Sequence, residues 1–367
     1  MEQSLNRKLD IQSGRFMAIG IHRTPEGGTQ LLMVIHHLVM DAVSWPILLL
    51  DLSSLLKTIT GQEKPRFLKP SGSYAQWTED LLETAAAIEP DTIAFWEDTT
   101  DTDAENGPSY DASGHQMMET LSFQLSKADT SRFLDLIRRK NRANPQHVLL
   151  AALAATFREW HDTKQVVFEL EGHGREATKL GTDTSHTIGW FTSKFPLALD
   201  LEKSSSTEDI LRTVSSKMDR LPMNGASYGL VRYLHADEKV RSNTTVTKSV
   251  HAGFNYLGVA EQLVPAESGF RLIKPLSLVS SVENHSPLPI DVHAMIFQST
   301  LKVEWRYDAR LHDRSVIEKH GRRCMEHLGV LIETETKQTK TTVADFSQAG
   351  LDKSKLSNLA AVLDKLK

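Results

Sequence analysis

The sequence has a single cysteine, Cys324, among 367 residues, so it cannot carry an internal disulfide framework. It also has no long apolar run: residues 45–50, the most hydrophobic stretch, fall far short of the roughly 20 residues that cross a bilayer. Residues 1–10 lack the apolar core of a signal peptide. The net charge of −5 shows no surplus of basic residues for nucleic acid. We therefore expect an intracellular, cytoplasmic protein that neither spans a membrane nor binds nucleic acid.

Two adjacent histidines, His36 and His37, follow a short apolar run at residues 31–35 that predicts a buried strand. Successive side chains of a strand point to opposite faces, so only one of the two can easily face a given cavity. A metal site is not expected, because the two rings diverge and no third ligand follows at a recognised spacing. His37, with Asp41 four residues later, is a candidate for acid and base chemistry, although a histidine at a strand end is more often structural.

Glu171 ends a second predicted strand, over residues 165–171. Alternation along this strand puts Val166, Phe168 and Leu170 on one face, and the chain then breaks at Gly172. Glu171 is therefore expected at a strand end, as His37 is.

The length and the alternation of helical and strand patterns predict an α/β protein with two lobes. A polar segment at residues 101–114 is a candidate connection between them. The expected divisions are an N-terminal lobe at 1–118, a C-terminal lobe at 119–340, and a linker with a short amphipathic helix at 341–367. Helices are predicted at residues 46–56, 74–98, from 126, from 145 and at 314–333, and further strands at residues 121–125, 253–257, 290–297 and 301–305.

Six segments of the chain carry motifs that resemble those of one enzyme family. The run His36-His37-Leu38-Val39-Met40-Asp41 is similar to the HHxxxDG motif that condensation and epimerization domains share. Glu171-Gly172-His173-Gly174-Arg175-Glu176 matches the epimerization signature EGHGRE letter for letter. Further segments that resemble epimerization motifs are residues 187–193, 228–234, 254–258 and 287–292. Together these segments resemble the epimerization domains of nonribosomal peptide synthetases.

This resemblance implies an α/β, chloramphenicol-acetyltransferase-like fold, in which two lobes, each with a mixed sheet and helices, enclose a central tunnel. It implies an isomerase that removes and returns the α-proton of an aminoacyl or peptidyl thioester. His37 and Glu171, one on each side of the α-carbon, would exchange the roles of base and acid. A tunnel that buries Glu171 would make this carboxyl group a usable base near neutral pH.

The resemblance also implies roles for residues around this pair. Asn255 and Tyr256 are expected to contact the substrate, and either of them, or His37, could donate to the enolate oxygen. An ion pair between Asp41 and Arg175 is expected to join the two motif loops. No metal or organic cofactor is implied. The substrate would be carried on the 4'-phosphopantetheine of a carrier protein. The residues expected to give structural support are His36, Asp41 and Arg175. Independently of the resemblance, the aromatic residues Trp190, Phe191 and Tyr233 are expected in the core rather than in the substrate wall.

Two features depart from the family pattern. Ala42 stands in the motif's glycine position and would be strained if the backbone there needed a positive φ. The family also normally has some tens of residues before the segment that residues 6–11 resemble, so we expect a shortened N-terminal lobe that a second chain or a homo-oligomer could complete.

Other functions remain open at this point. The main alternative is a stand-alone tailoring enzyme, an isomerase or cyclase that acts by acid and base catalysis on a free secondary metabolite. A condensation domain or a non-catalytic module that docks a carrier protein is less favoured.

Overall fold

The structure, a computed structural model, describes residues 2–62, 64, 71–100, 117–139, 144–175, 181–244, 250–274 and 288–337. The predicted connection at residues 101–114 and the predicted linker and helix at residues 341–367 lie outside the described residues. The lobe boundary predicted near residue 118 falls where the first strand of the large sheet begins, at Met118.

Helices form where the sequence predicts them, and several begin at residues suited to cap them. Asn144 caps one helix, because its side chain accepts a hydrogen bond from the Gln146 amide at 2.9 Å and Pro145 occupies the first turn. Residues 74–98, predicted as one helical stretch, form two helices. The helices are α1 (Glu2–Asn6), α2 (Ser44–Ile59), α3 (Tyr74–Ala86), α4 (Pro90–Thr100), α5 (Lys127–Arg139), α6 (Pro145–His161), α7 (Thr207–Met218), α8 (Ser227–Gly229), α9 (Glu238–Asn243) and α10 (Arg314–Lys337).

The described strands form a two-stranded sheet and a six-stranded sheet. The small sheet is the antiparallel pair β1–β2, and the large sheet has the order β3-β8-β7-β6-β4-β5. In the large sheet, β6 runs parallel to both β4 and β7, while the other pairs are antiparallel. The mixed sheet predicted for each lobe is therefore found in the C-terminal part, whereas the N-terminal part has an antiparallel pair. The strands are β1 (Met17–Arg23), β2 (Thr29–Ile35), β3 (Met118–Gln124), β4 (Gln165–Gly172), β5 (Ser193–Asp200), β6 (Ala252–Val259), β7 (Ile290–Phe297) and β8 (Thr300–Asp308).

The main core lies between one face of the large sheet and the helices that cover it. Helix α6 is buried around most of its circumference from Val148 to Phe157, as expected of a helix packed on several sides. Phe168 and Leu170 of β4 join this cluster, so the opposite face of β4 presents Glu169 and Glu171. Within the described ranges, no helix has both the length and the apolar character needed to cross a membrane.

Candidate active site

The two strand ends predicted from the sequence border one cavity of about 750 Å³. His37 opens a short 3₁₀ turn directly after β2, and Glu171 lies near the end of β4. Both side chains line the cavity, together with Glu169 and Lys194. His36 is not among its lining residues; its Nδ1 accepts a hydrogen bond from the Leu38 amide at 3.1 Å instead. The prediction that only one of the two histidines reaches the cavity agrees with this arrangement.

Aromatic residues form much of the remaining wall. Trp190 meets the His37 ring edge to face, with 5.6 Å between ring centroids, and is 41% exposed. Tyr233 also lines the cavity and is 67% exposed. The prediction that these two residues belong to the core is wrong, because the loop and helical turn that carry them face the cavity. Phe191 is buried in the core as predicted, against Trp77.

Asp41 is a buried hydrogen-bond acceptor rather than part of the cavity wall. Its Oδ1 accepts from the Ser44 amide at 2.9 Å and from the Ser44 hydroxyl at 2.7 Å. Its Oδ2 accepts from the Phe191 amide at 3.2 Å, and its own amide donates to the Gly189 carbonyl at 3.0 Å. These hydrogen bonds connect the loop after β2, residues 36–41, to the segment at residues 189–191.

Arg175 completes this junction, and the predicted ion pair is present. Its Nη2 lies 3.2 Å from Asp41 Oδ1, and both side chains are almost fully buried. Its Nη1 donates to the Thr184 and Thr187 carbonyls at 2.6 and 2.9 Å. The guanidinium also stacks 4.0 Å from the centroid of the Phe191 ring. Such dense pairing is expected for a buried charge and fits a structural role.

Gly174 and Ala42 differ in what their backbone requires. Gly174 has a φ of +67°, and a Cβ there would lie 1.7 Å from the Phe191 carbonyl oxygen, so only glycine fits. Ala42 is not among the described residues with positive φ. The strain considered for alanine at this motif position is therefore absent.

Glu171 is oriented by neighbours on both sides. On β6, Asn255 Nδ2 donates to Glu171 Oε2 at 2.5 Å. On β5, Lys194 is directly opposite Glu171, with its Nζ 3.4 Å from Glu171 Oε1 and 2.8 Å from Glu169 Oε1. The Glu171 side chain is 28% exposed, so the expected burial of this residue by a closed tunnel is not observed.

Lys194 places a positive charge in the cavity wall. Burial opposes its charge, but the hydrogen bond from Lys194 to Glu169 and the nearby carboxylates outweigh this effect and raise the pKa of the ammonium group. Sequence reasoning did not identify Lys194 or Glu169, although the alternation that exposes Glu171 on β4 also exposes Glu169.

The structure brings Asn255 to Glu171 but places Tyr256 elsewhere. Tyr256 packs against the main core, and burial raises the pKa of its hydroxyl to about 12. Because neighbours on a strand face opposite ways, Tyr256 points away from the face that carries Asn255. Among the described residues, no cluster of three or more His, Cys, Asp or Glu side chains could hold a metal ion.

Comparison with known proteins places this geometry in context. The condensation domain family matches residues 1–351. One of the linear gramicidin synthase proteins of Brevibacillus parabrevis is 31% identical over 365 residues, which are 95% of this chain and 5% of that protein. Gramicidin S synthase 1 of Brevibacillus brevis is 25% identical over 376 residues, which are 98% of this chain and 34% of that protein. The chain thus spans only a small part of the length of these relatives.

Solved structures share the fold. The epimerization domain from the third module of tyrocidine synthetase B superposes with a TM-score of 0.78 at 27% identity, covering 90% of this chain and 75% of that one. The first condensation domain of the calcium-dependent antibiotic synthetase gives a TM-score of 0.60 at 15% identity, covering 87% of this chain and 67% of that one. The predicted chloramphenicol-acetyltransferase-like fold class and the resemblance to epimerization domains are confirmed.

Proposed function

Because the chain belongs to the condensation-domain family, we propose that it epimerises the α-carbon of an aminoacyl or peptidyl thioester in nonribosomal peptide biosynthesis. The observation that carries this proposal is the pairing of His37 and Glu171 across one cavity, with the Glu171 carboxylate held by Asn255. The likeness in sequence and structure to the tyrocidine synthetase epimerization domain supports it.

The reaction needs one proton acceptor and one proton donor on opposite faces of the α-carbon. In one direction the Glu171 carboxylate takes the α-proton, and the electron pair of the C–H bond moves into the thioester carbonyl to form an enolate. The His37 imidazolium then returns a proton to the other face of the carbon. The reverse reaction exchanges the two roles, and solvent restores the starting protonation of both groups.

The enolate oxygen requires a donor while negative charge develops on it. The amide nitrogen of Asn255 is bonded to Glu171, and Tyr256 packs into the core, so both are poorly placed for this task. His37 remains a candidate, and Lys194 adds a cation that lines the same cavity beside Glu171. The aromatic wall, including Trp190, would limit water around the enolate.

The substrate would arrive on the phosphopantetheine arm of a carrier protein. Support comes from the relatives, which are synthases that match this chain over almost its full length while the match covers only 5% and 34% of their own length. A cavity of about 750 Å³ has the size range of sites that hold a small organic group.

The test is hydrogen exchange at the α-carbon. A carrier protein loaded with an aminoacyl or peptidyl thioester is incubated with the chain in deuterated water, and solvent deuterium in the released acid is measured by mass spectrometry. Glu171→Gln should lower the exchange rate by about 10²–10⁴-fold, because it removes the base but keeps the size of the side chain. Glu119→Gln, on the distant edge strand β3, controls for the effect of this substitution in the sheet.

Other outcomes would assign a different function. Conversion of a free metabolite without exchange on any carrier-bound thioester would identify a tailoring enzyme. Peptide bond formation between two loaded carriers would identify a condensation domain. Equal exchange rates in the wild type and in Glu171→Gln would refute the proposed role of Glu171.

A further inference from the structure

Polar side chains lie beside Glu171 on the two neighbouring strands of the large sheet, β6 and β7. Leu170 is opposite Phe254 in the parallel pair β4–β6, so Glu171 and Asn255 follow as neighbours on the other face. Asn255 is in turn opposite His293 on β7. Glu171, Asn255 and His293 therefore lie side by side on one face of three neighbouring strands.

The hydrogen bond between Asn255 and Glu171 determines the orientation of the Asn255 amide. An ionised carboxylate only accepts hydrogen bonds, so the amide nitrogen faces Glu171 and donates to it at 2.5 Å. The amide oxygen of Asn255 then faces away from Glu171 and can accept a hydrogen bond from a neighbouring strand. A donor on this side would hold the amide in the orientation that serves Glu171.

His293 has an uncommitted nitrogen on the neighbouring strand. Its Nε2 lies 2.9 Å from Asp291 Oδ2, whereas its Nδ1 is buried and has no hydrogen-bond partner among the described residues. A buried polar atom without a partner is costly, so Nδ1 is expected to engage an acceptor. The oxygen of Asn255, directly opposite in register, is an acceptor of the required kind.

The backbone makes room for the carboxylate that holds His293. Gly253 is opposite Asp291, and a Cβ on Gly253 would lie 2.5 Å from Asp291 Oδ1. A side chain at this position would displace the carboxylate, and with it the His293 ring.

The surrounding charges favour an imidazolium at His293, which donates from both nitrogens. Burial opposes the charge, but the hydrogen bond to Asp291 and the negative charges of Asp291 and Glu171 outweigh burial and raise the pKa of the ring. Arg306 acts against the charge. Glu304 is opposite His293 on β8 and contributes another carboxylate on this face of the sheet.

We propose that His293 is a positioning residue for Glu171: it is anchored at Nε2 by Asp291 and holds the Asn255 amide that orients the carboxylate by donating from Nδ1 to the amide oxygen. This structure does not contain that last hydrogen bond, and a small rotation of either side chain in the working enzyme would form it. The effect on catalysis rests on the proposed function of Glu171, whereas the hydrogen-bond chain from Asp291 to Glu171 does not.

Kinetics of the exchange assay test the catalytic part. His293→Phe keeps the ring shape but removes both nitrogens, and it should lower kcat about tenfold with KM unchanged, as for the loss of one ordinary hydrogen bond. His293→Gln retains an N–H donor and should recover part of this loss. In a double variant with Asn255→Ala, the losses should not multiply, because His293 acts through Asn255. Multiplicative losses, or a kcat unchanged in His293→Phe, would overturn the proposal.

A titration of His293 by NMR, with ¹³C-labelled histidine, tests the hydrogen-bond chain without any substrate. Asp291→Asn, Glu171→Gln and Asn255→Ala should each lower the pH at which His293 titrates, and Asp291→Asn should lower it most. A titration that is the same in Asn255→Ala and in the wild type would overturn the link through Asn255. If the wild type shows this coupling but no α-carbon exchange, the proposed function fails while the chain of contacts stands.

Discussion

Replacing Asp41 should lower the unfolding free energy of the protein but have little effect on the rate of the chemical step. Asp41→Ala would leave the buried Arg175 guanidinium without its counter-ion and remove the acceptor of two Ser44 hydrogen bonds. Removing one partner of a buried ion pair costs about 3–5 kcal/mol of unfolding free energy. Asp41→Asn keeps an acceptor oxygen, and the Thr184 and Thr187 carbonyls still bind the guanidinium, so we expect the lower end of this range.

Urea unfolding followed by tryptophan fluorescence measures this change. If the unfolding free energy falls by about 3 kcal/mol per M urea, Asp41→Asn should lower the midpoint by about 1 M. A matched control is Arg132→Ala, which breaks the exposed pair of Arg132 with Asp129 and should leave the midpoint where it is.

The two possible roles of Asp41 give opposite results. If its role is structural, Asp41→Asn exchanges the α-proton at a rate close to that of the wild type under conditions where it remains folded. A variant that has the wild-type midpoint but has lost exchange would refute this reasoning and place Asp41 in the chemistry.

Two further predictions concern stability. Gly174→Ala should destabilise far more than Gly181→Ala, because both glycines have positive φ but only at Gly174 would the new Cβ meet a backbone oxygen; urea midpoints of the two variants make the comparison. Burial, with a smaller contribution from the charge of His161, lowers the pKa of His251 to about 4 from about 6.5. The unfolded chain therefore binds the proton first, and as the pH falls from about 6.5 to about 4 the protein should lose about 3 kcal/mol at this residue. The urea midpoints at pH 7 and pH 4.5 should differ less in His251→Gln than in the wild type. An equal difference in the two proteins would contradict the lowered pKa of His251.

The elements that sequence reasoning found are those whose burial pattern is regular along the chain. Helix α6 and the strands β4 and β7 were predicted within about one residue of their bounds, because apolar residues recur there at helical or strand spacing. Strand β5 was not predicted. It contains Pro196, which argues against a strand but is tolerated here because β5 is the edge of the sheet.

The candidate site divides in the same way. His37, Glu171 and the pair of Asp41 with Arg175 lie in motifs that identify them one by one. Lys194 reaches Glu171 only because β5 pairs with β4 in a particular register, and that register could not be deduced from a strand that was itself not predicted. Contacts that depend on which strands pair, and in which register, were the part of the site that the sequence left open.

The sequence contains enough information to predict which of Asn255 and Tyr256 faces the site. The rule that neighbours on a strand face opposite sides was applied to His36 and His37, and it holds equally on β6. Phe254 is an apolar residue expected in the core, so Tyr256 shares its face and Asn255 has the other. The motif predicts both residues in the site, but because side chains alternate along the strand only Asn255 lies beside Glu171. A family motif thus marks a segment of backbone, and the period of the strand decides which of its side chains takes part.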